Sequence, residues 1–201
     1  MSLVRLDEID ESTPPSAVCL GTFDGVHLGH RKLISAAVRA AAAKDLLPAA
    51  FTFEMPPAFC FRPAACETVL TPIREKARLM EACGIRRVFY PGDAREVLKM
   101  SCEAFFRGIL LEKLHARHIV IGFHYTFGKG ASGNADTMRA FCAEAGVGLD
   151  VISPVYSGEG ILISSTAIRQ ALRRGDRSAA ESMLGSELTE REIHLLGGTE
   201  N

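Results

Sequence analysis

Five short apolar runs alternate with segments of helical periodicity along this chain of 201 residues. The runs predict strands at residues 17–20, 49–53, 85–90, 117–122 and 147–152. The segments between and after them predict helices at residues 30–44, 72–83, 101–115, 134–145, 164–174 and 177–184. Because a strand, a helix and a further strand in succession need a crossover connection, the strands should be parallel, with helices on both faces. The alternation therefore predicts an α/β fold around a mainly parallel five-stranded sheet.

Composition narrows the class of partner. The formal net charge is −1, which argues against a broad nucleic-acid or membrane-binding surface. No apolar run approaches the ~20 residues of a membrane span, and the first residues lack the apolar core of a secretory signal, so a cytoplasmic location is expected. The six cysteines form no C-x-x-C pair, so we expect them to be reduced thiols. A disulfide or zinc framework is the alternative.

The run GTFDGVHLGH, residues 21–30, joins the first predicted strand to the first predicted helix. Gly25 permits a backbone shape that other residues resist, and Gly29 removes bulk where an anion would approach the helix. His27 and His30 are three residues apart, so both imidazoles face one side of the helix start and can donate hydrogen bonds to phosphate oxygens. A simple Asp-Gly turn with two surface histidines is the alternative. The combination of strand, turn and helix favours binding of the phosphates of a nucleoside triphosphate. The spacing of the glycines matches neither a Walker loop nor a dinucleotide fingerprint.

The run ISSTAIR, residues 163–169, is a second candidate anion site. Three hydroxyl residues stand at the start of a predicted helix, where one of them could also act as an ordinary N-cap. Arg169 follows about one turn later. Backbone N–H groups, hydroxyls, the helix dipole and a guanidinium together favour phosphate binding. Loops that follow parallel strands meet at one edge of a sheet, so we expect the loops after residues 20, 53 and 121 to gather there.

The two motifs together resemble the adenylyltransferase domain of bacterial bifunctional riboflavin kinase/FAD synthetases, within the H-x-G-H nucleotidyltransferase superfamily. The resemblance covers nearly the whole chain and includes Thr52-Phe53, Glu75-Lys76 and Phe127-Gly128 with Gly133. It implies a Rossmann-like nucleotidyltransferase domain at residues 1–185 that transfers AMP from ATP to FMN with Mg²⁺, giving FAD and pyrophosphate. Residues 186–201 resemble the connection to a riboflavin kinase domain. The implied partners are ATP and FMN, without nucleic acid or membrane; the metal ligands and the oligomeric state stay open.

The resemblance also implies residue roles. His27, His30 and Arg169 are the expected catalytic residues, and the hydroxyl residues 164–166 would hold the β- and γ-phosphates with Arg169. The expected ATP-binding residues are Gly21, Phe23, Asp24, Gly29, His30, Ser164, Ser165, Thr166 and Arg169. The expected FMN-binding residues are Thr52, Phe53, Phe59, His124 and Phe127. The FMN phosphate would attack the α-phosphorus directly, so positioning and charge neutralisation would carry the rate.

Three positions depart from the family pattern. Residues 55–57 read Met-Pro-Pro where the family usually has Pro-His-Pro, His124 replaces an acidic residue, and Ala131 replaces a basic one. Because these positions lie in the predicted ligand loops, a different phosphate acceptor, or non-catalytic nucleotide or flavin binding, remains an alternative. His115 and His118 have metal-ligand spacing, but their places at a helix end and a strand start favour a structural role over zinc.

Overall fold

Six parallel strands form one sheet in the structure, a computed structural model that describes residues 2–10, 12–61 and 69–188. The strands are β1 (Ser2–Arg5), β2 (Ser16–Leu20), β3 (Leu47–Phe51), β4 (Arg87–Tyr90), β5 (Ala116–Gly122) and β6 (Gly148–Ile152). Their order is β1-β4-β3-β2-β5-β6, and every pairing is parallel. The chain builds outward from β2 on one side and then returns to its other side at β5. The gap between β2 and β5 is thus the topological switch point, where ligands bind at the carboxyl edge of such sheets.

Helices connect and cover the strands. They are α1 (Leu28–Lys44), α2 (Pro57–Phe61), α3 (Ile73–Ala82), α4 (Ala94–Leu98), α5 (Cys102–Ala104), α6 (Ala135–Ala145), α7 (Ser165–Arg173) and α8 (Arg177–Leu184). A π-helical segment, Phe105–Lys113, continues α5 without a break. No helix in these described ranges has the length and apolar content needed to cross a membrane.

Both faces of the sheet are buried because successive strand residues point to opposite sides. Val18 and Leu20 pack on one face with the π-helical segment and α6, whereas Cys19 packs on the other face with α1 and α3. Strands that are covered on both faces read as continuous apolar runs rather than as alternating ones. This explains why the central strands were predictable from apolar runs alone, and it confirms the α/β fold.

The predicted strand number was wrong by one. β1 is a short edge strand with two half-buried residues between two exposed ones, so it carries almost no apolar pattern. The helices α2 and α4 and the bridge between Tyr156 and Leu162 were not predicted either. Each of these elements is too short for periodicity to reveal it.

A side-chain cluster of one buried histidine and two exposed charged residues lies at the amino edge of the sheet, opposite the predicted ligand loops. His118 lies with Nδ1 2.9 Å from the Lys44 ammonium and Nε2 3.1 Å from the Asp150 carboxylate. Gly148 makes room for the cluster, since a Cβ there would lie 2.3 Å from His118 Nδ1 and 2.8 Å from Lys44 Nζ. The interaction assigns His118 a structural contact at this edge.

Gly148→Ala is therefore expected to lower the free energy of unfolding by about 1–3 kcal/mol, because the added methyl group must displace the imidazole. Gly108→Ala is the matched control, since a Cβ at Gly108 meets nothing within 4 Å. Urea unfolding of both variants measures the difference. Equal stability of the two variants would contradict the packing argument.

Candidate active site

The loops after β2 and β3 meet at the carboxyl edge of the sheet. The Thr52 hydroxyl donates to the carbonyl oxygen of Thr22 at 2.9 Å. Lys76 of α3 donates to the carbonyl oxygens of Thr22 and Phe53, at 2.7 Å each. The loop after β5 begins at the same edge, where the Phe123 N–H donates to Ile152 O at 3.0 Å. The predicted gathering of loops at one edge is confirmed.

The two motif histidines stack at the start of α1. Their ring centroids are 3.6 Å apart with 18° between the planes. His27 is the N-cap residue, and its Nδ1 accepts a hydrogen bond from the His30 backbone N–H at 3.3 Å. An Nδ1 that accepts carries no proton, so the proton of neutral His27 sits on Nε2. Gly29 allows this stack, since a Cβ there would lie 3.1 Å from the His27 ring.

Both imidazoles are neutral at pH 7. Burial lowers the pKa of His27, which is 6% exposed, to about 4. Burial holds the pKa of His30 well below its usual value, with smaller contributions from repulsion by a protonated His27 and by Lys76. Among the described residues, the buried His30 Nδ1 has no hydrogen-bond partner. A buried polar atom without a partner is costly, and a bound phosphate oxygen would relieve that cost.

Asp24 joins the two motifs from within the protein. It is 1% exposed, and its Oδ2 forms an ion pair with Arg169 of α7. Its Oδ1 accepts from the Thr71 backbone N–H at 3.0 Å, and its backbone oxygen accepts from the Ser165 hydroxyl at 2.8 Å. The carboxylate that was expected to bind ATP is therefore engaged with the protein, and it fixes the start of α7 beside the first motif.

The backbone of the first motif is strained around Asp24. Phe23 and Val26 have φ angles of 49° and 40°, in the left-handed region that residues with a Cβ rarely adopt. Val26 is β-branched and 1% exposed, which makes its conformation a clear outlier. Strained residues of this kind persist only where the surroundings hold them, and they concentrate at functional sites.

The second motif supplies the start of α7. The Ser164 side chain caps the helix by accepting from the Ala167 N–H at 3.2 Å, while Thr166 is exposed. Arg169 pairs with Asp24, and its guanidinium lies 5.9 Å from the centroid of the Phe59 ring. Ser164 therefore acts as an ordinary N-cap residue, which was the alternative to phosphate binding. Thr166 is exposed and can contact a ligand from solvent.

The expected flavin residues divide into buried and open groups. Thr52 is fully buried, and Phe127 packs in the core against Phe105 with ring centroids 5.9 Å apart. Phe53 is half-buried with its ring edge-on to Phe51, and Phe59 is half-buried beside Arg169. Exposed rings also lie on the loop after β5, where Phe123 is 60% exposed and is edge-on to His124.

Lys76 was expected to matter only as part of the family resemblance. Lys76 is fully buried at the ends of β2 and β3, between Ile73, Ala77 and Met80 on the inward face of α3. A lysine inside the i, i+3, i+4, i+7 pattern of an apolar helix face is the signal that could have found it.

The described ranges contain no group of three or more His, Cys, Asp or Glu side chains that could hold a metal ion. His115 lies with Nδ1 2.6 Å from Thr13 O, and His118 contacts Lys44 and Asp150. These contacts agree with the structural role expected for both histidines. The cysteines in the described ranges are free thiols, and Cys66 lies outside those ranges.

Comparison with known proteins points to one family. The sequence model of the FAD synthetase family matches residues 9–167. The bifunctional riboflavin kinase/FMN adenylyltransferase of Escherichia coli is 31% identical over 166 residues, which cover 83% of this chain and 53% of the relative. An FAD synthetase of Listeria monocytogenes is 30% identical over 171 residues, covering 85% of this chain and 68% of that protein. The chain spans about half the length of the bifunctional relatives it matches.

A solved structure shares the fold. The crystal structure titled macrolide-efflux protein from Streptococcus pneumoniae superposes with a TM-score of 0.81 and 26% identity, covering 92% of this chain and 62% of that one. Macrolide efflux belongs to the name of that protein and is not assigned to this chain. The match of the family over residues 9–167, together with both motifs placed side by side, leads to one conclusion: the chain belongs to the FAD synthetase family.

Proposed function

We propose that this protein is an ATP-dependent adenylyltransferase that converts FMN and ATP to FAD and pyrophosphate. The observation that carries the proposal is the neutral, stacked pair of His27 and His30 at the start of α1, fixed beside the start of α7 through Asp24. Two helix N-termini and imidazole N–H groups at one point form a site for a polyphosphate. Family membership supports ATP and FMN as the substrates.

The geometry suits in-line transfer of AMP. The FMN phosphate is already an anionic nucleophile, so its attack on the α-phosphorus needs neither a covalent enzyme intermediate nor a strong base. The P–O bond to the β-phosphate breaks as the new P–O bond forms, and pyrophosphate leaves with the electron pair. His27 Nε2–H and the N–H of His30 would donate to the phosphate oxygens, where negative charge develops. Thr166 and the backbone N–H groups at the start of α7 would hold the departing pyrophosphate.

Magnesium would arrive with the nucleotide. The Asp24 carboxylate, which is buried within the first motif, already accepts from Thr71 and pairs with Arg169, so it does not fit as a free ligand. Mg²⁺ binds readily to substrate phosphates and keeps several waters. We therefore treat Mg-ATP as the substrate and assign no protein side chain to the ion.

The buried state of two expected flavin residues refines the FMN side of the proposal. Thr52 and Phe127 would shape the pocket from behind, because neither presents an open face. Phe53, Phe59 and His124 remain the proposed contacts, and the exposed Phe123 ring favours stacking on a flat ligand. The same open loop carries His124 and Ala131, which keeps transfer to a different phosphate acceptor as the second candidate.

Incubation with ATP, FMN and Mg²⁺ should yield FAD and pyrophosphate, detected by chromatography and by pyrophosphate release. Nicotinate and pantetheine phosphates serve as competing acceptors in parallel reactions. A clear preference for another acceptor would replace FMN. Tight nucleotide or flavin binding without turnover would favour a binding protein, and absence of both FAD and ATP binding would overturn the proposal.

A cytoplasmic location and a domain boundary after residue 185 remain proposals. The free thiols in the described ranges fit a reducing compartment. α8 ends at Leu184 with Gly185 as a left-handed C-cap, which supports a boundary there. The connection proposed for residues 186–201 lies mostly outside the described residues.

A further inference from the structure

Lys76 occupies an unusual place for a lysine. Its side chain is 0% exposed, on the inward face of α3. Its ammonium donates to Thr22 O and Phe53 O at 2.7 Å each, and it lies 3.5 Å from Thr52 Oγ1. A lysine is almost never fully buried unless its charge is compensated. The Lys76 ammonium donates its hydrogen bonds to carbonyl groups that follow two neighbouring strands.

These hydrogen bonds hold together the two loops beneath the candidate active site. Thr22 is the second residue after β2 and the second residue of the first motif, whereas Phe53 belongs to the loop after β3 that faces the proposed acceptor side. Because one ammonium binds both carbonyl oxygens, the two loops cannot separate without leaving donors and acceptors unpaired. The position of the first motif relative to the acceptor loop therefore depends on Lys76.

The charge of Lys76 also dominates the buried part of the site. Apart from histidines, the charged side chains among the described buried residues are Asp24, Lys76 and Arg169. Asp24 and Arg169 compensate each other in an ion pair. Since both motif histidines are neutral, Lys76 provides the excess positive charge beneath the motif.

We propose that Lys76 is a positioning residue for the triphosphate: it holds together the strand ends that carry the first motif, and its buried charge attracts the phosphates to them. The inference rests on the proposed function for ATP as the ligand, and it is independent of which acceptor receives AMP. It assigns the electrostatic attraction to a residue outside both sequence motifs.

The ionisation of Lys76 supports this geometry. Burial lowers its pKa to about 8, against the opposing effects of the Asp24 and Glu54 carboxylates. The groups that act on it are Asp24 after β2, Glu54 after β3 and His30 on α1, with Arg169 on α7 behind Asp24. A bound triphosphate adds negative charge and raises the pKa of Lys76. ATP affinity should therefore be full below pH 8 and should decrease as the pH rises through that value.

Lys76→Met removes the charge and keeps the approximate length of the side chain. We expect about tenfold weaker binding of a non-hydrolysable ATP analogue at pH 7, the scale of one screened charge interaction. The dependence of affinity on pH between 7 and 9.5 should also disappear. Arg74→Met, on the exposed face of the same helix, is the matched control and should keep both the affinity and its pH dependence. Calorimetry measures binding, and thermal unfolding measures stability.

A purely structural role predicts a different pattern. Lys76→Met would then unfold at a lower temperature and yet retain the decrease in affinity above pH 8, and this result would overturn the proposal. If Lys76→Met does not fold, the wild-type protein with ¹³Cε-labelled lysine decides. One of the six lysine signals should titrate near pH 8 and move to higher pH with the analogue. No such signal, or a signal that the analogue leaves unmoved, would also overturn it.

The outcomes separate the two proposals. Analogue binding with the expected pH dependence but without FAD formation would contradict the FMN reaction and support the role of Lys76. FAD formation by the wild-type protein, with unchanged ATP affinity in Lys76→Met, would support the FMN reaction and contradict the role of Lys76. Failure of the analogue to bind would count against both.

Discussion

Asp24→Asn is expected to lower the free energy of unfolding by about 3–5 kcal/mol, the largest loss of stability that the structure predicts for a single polar substitution. The amide cannot compensate the charge of Arg169, which is buried with Asp24. It keeps one carbonyl oxygen for the Thr71 N–H but turns an NH₂ group toward the guanidinium. Removal of one partner from a buried ion pair costs more than the pair itself contributes. Urea unfolding at pH 7 measures the loss.

Three companion variants isolate the cause. Arg169→Met alone should also destabilise the protein, because it leaves the Asp24 carboxylate without its counter-charge. The double variant should be less destabilised than the two single variants predict in sum, since it removes both members of the ion pair together. Asp7→Asn is the control, because the pair of Arg5 and Asp7 is exposed and should contribute under about 1 kcal/mol. Additive losses in the double variant would show that the ion pair is not the source.

The fold was largely predictable because the central strands are buried on both faces. β2, β3 and β5 appear as apolar runs, and each expected strand was found within two residues of its predicted ends. β1 escaped because an edge strand with two exposed residues has no such pattern. Its position is set by pairing with β4, a long-range contact that local sequence does not encode.

The sequence predicted which strand-end loops meet at the carboxyl edge of the sheet, but not the contacts among their residues. The two motifs pointed to candidate loops because glycine, histidine and hydroxyl residues at helix starts have known chemistry. They did not reveal that Asp24 and Arg169 face each other, 145 positions apart. Nor did they reveal that Phe127 turns into the core or that Lys76 lies beneath the first motif. Such facts depend on which side of a loop a residue presents, which only packing decides.

His30→Ala is expected to lower the rate of AMP transfer by about 100-fold or more, with a small effect on stability. The neutral imidazole carries one N–H that can stabilise developing charge on the phosphates, and loss of one such donor typically costs 10²–10³ in rate. Its Nδ1 has no partner among the described residues, so the substitution breaks no side-chain hydrogen bond there. The loss should fall on kcat more than on KM, because the donor acts mainly in the transition state.

Two other histidine variants test that assignment. His27→Ala should lower the rate and also destabilise α1 by about 1 kcal/mol, because His27 caps the helix through the His30 N–H. His115→Ala removes a histidine whose contact is with Thr13, outside the motif, and should leave the rate within a factor of two or three of wild type while weakening the fold. Steady-state kinetics with ATP and FMN, together with thermal unfolding, separates the three patterns. A His30→Ala protein that is folded and retains a third of the wild-type rate would remove His30 from the catalytic set. That result would mean that the unpartnered Nδ1 of His30 does not contact the reacting phosphates.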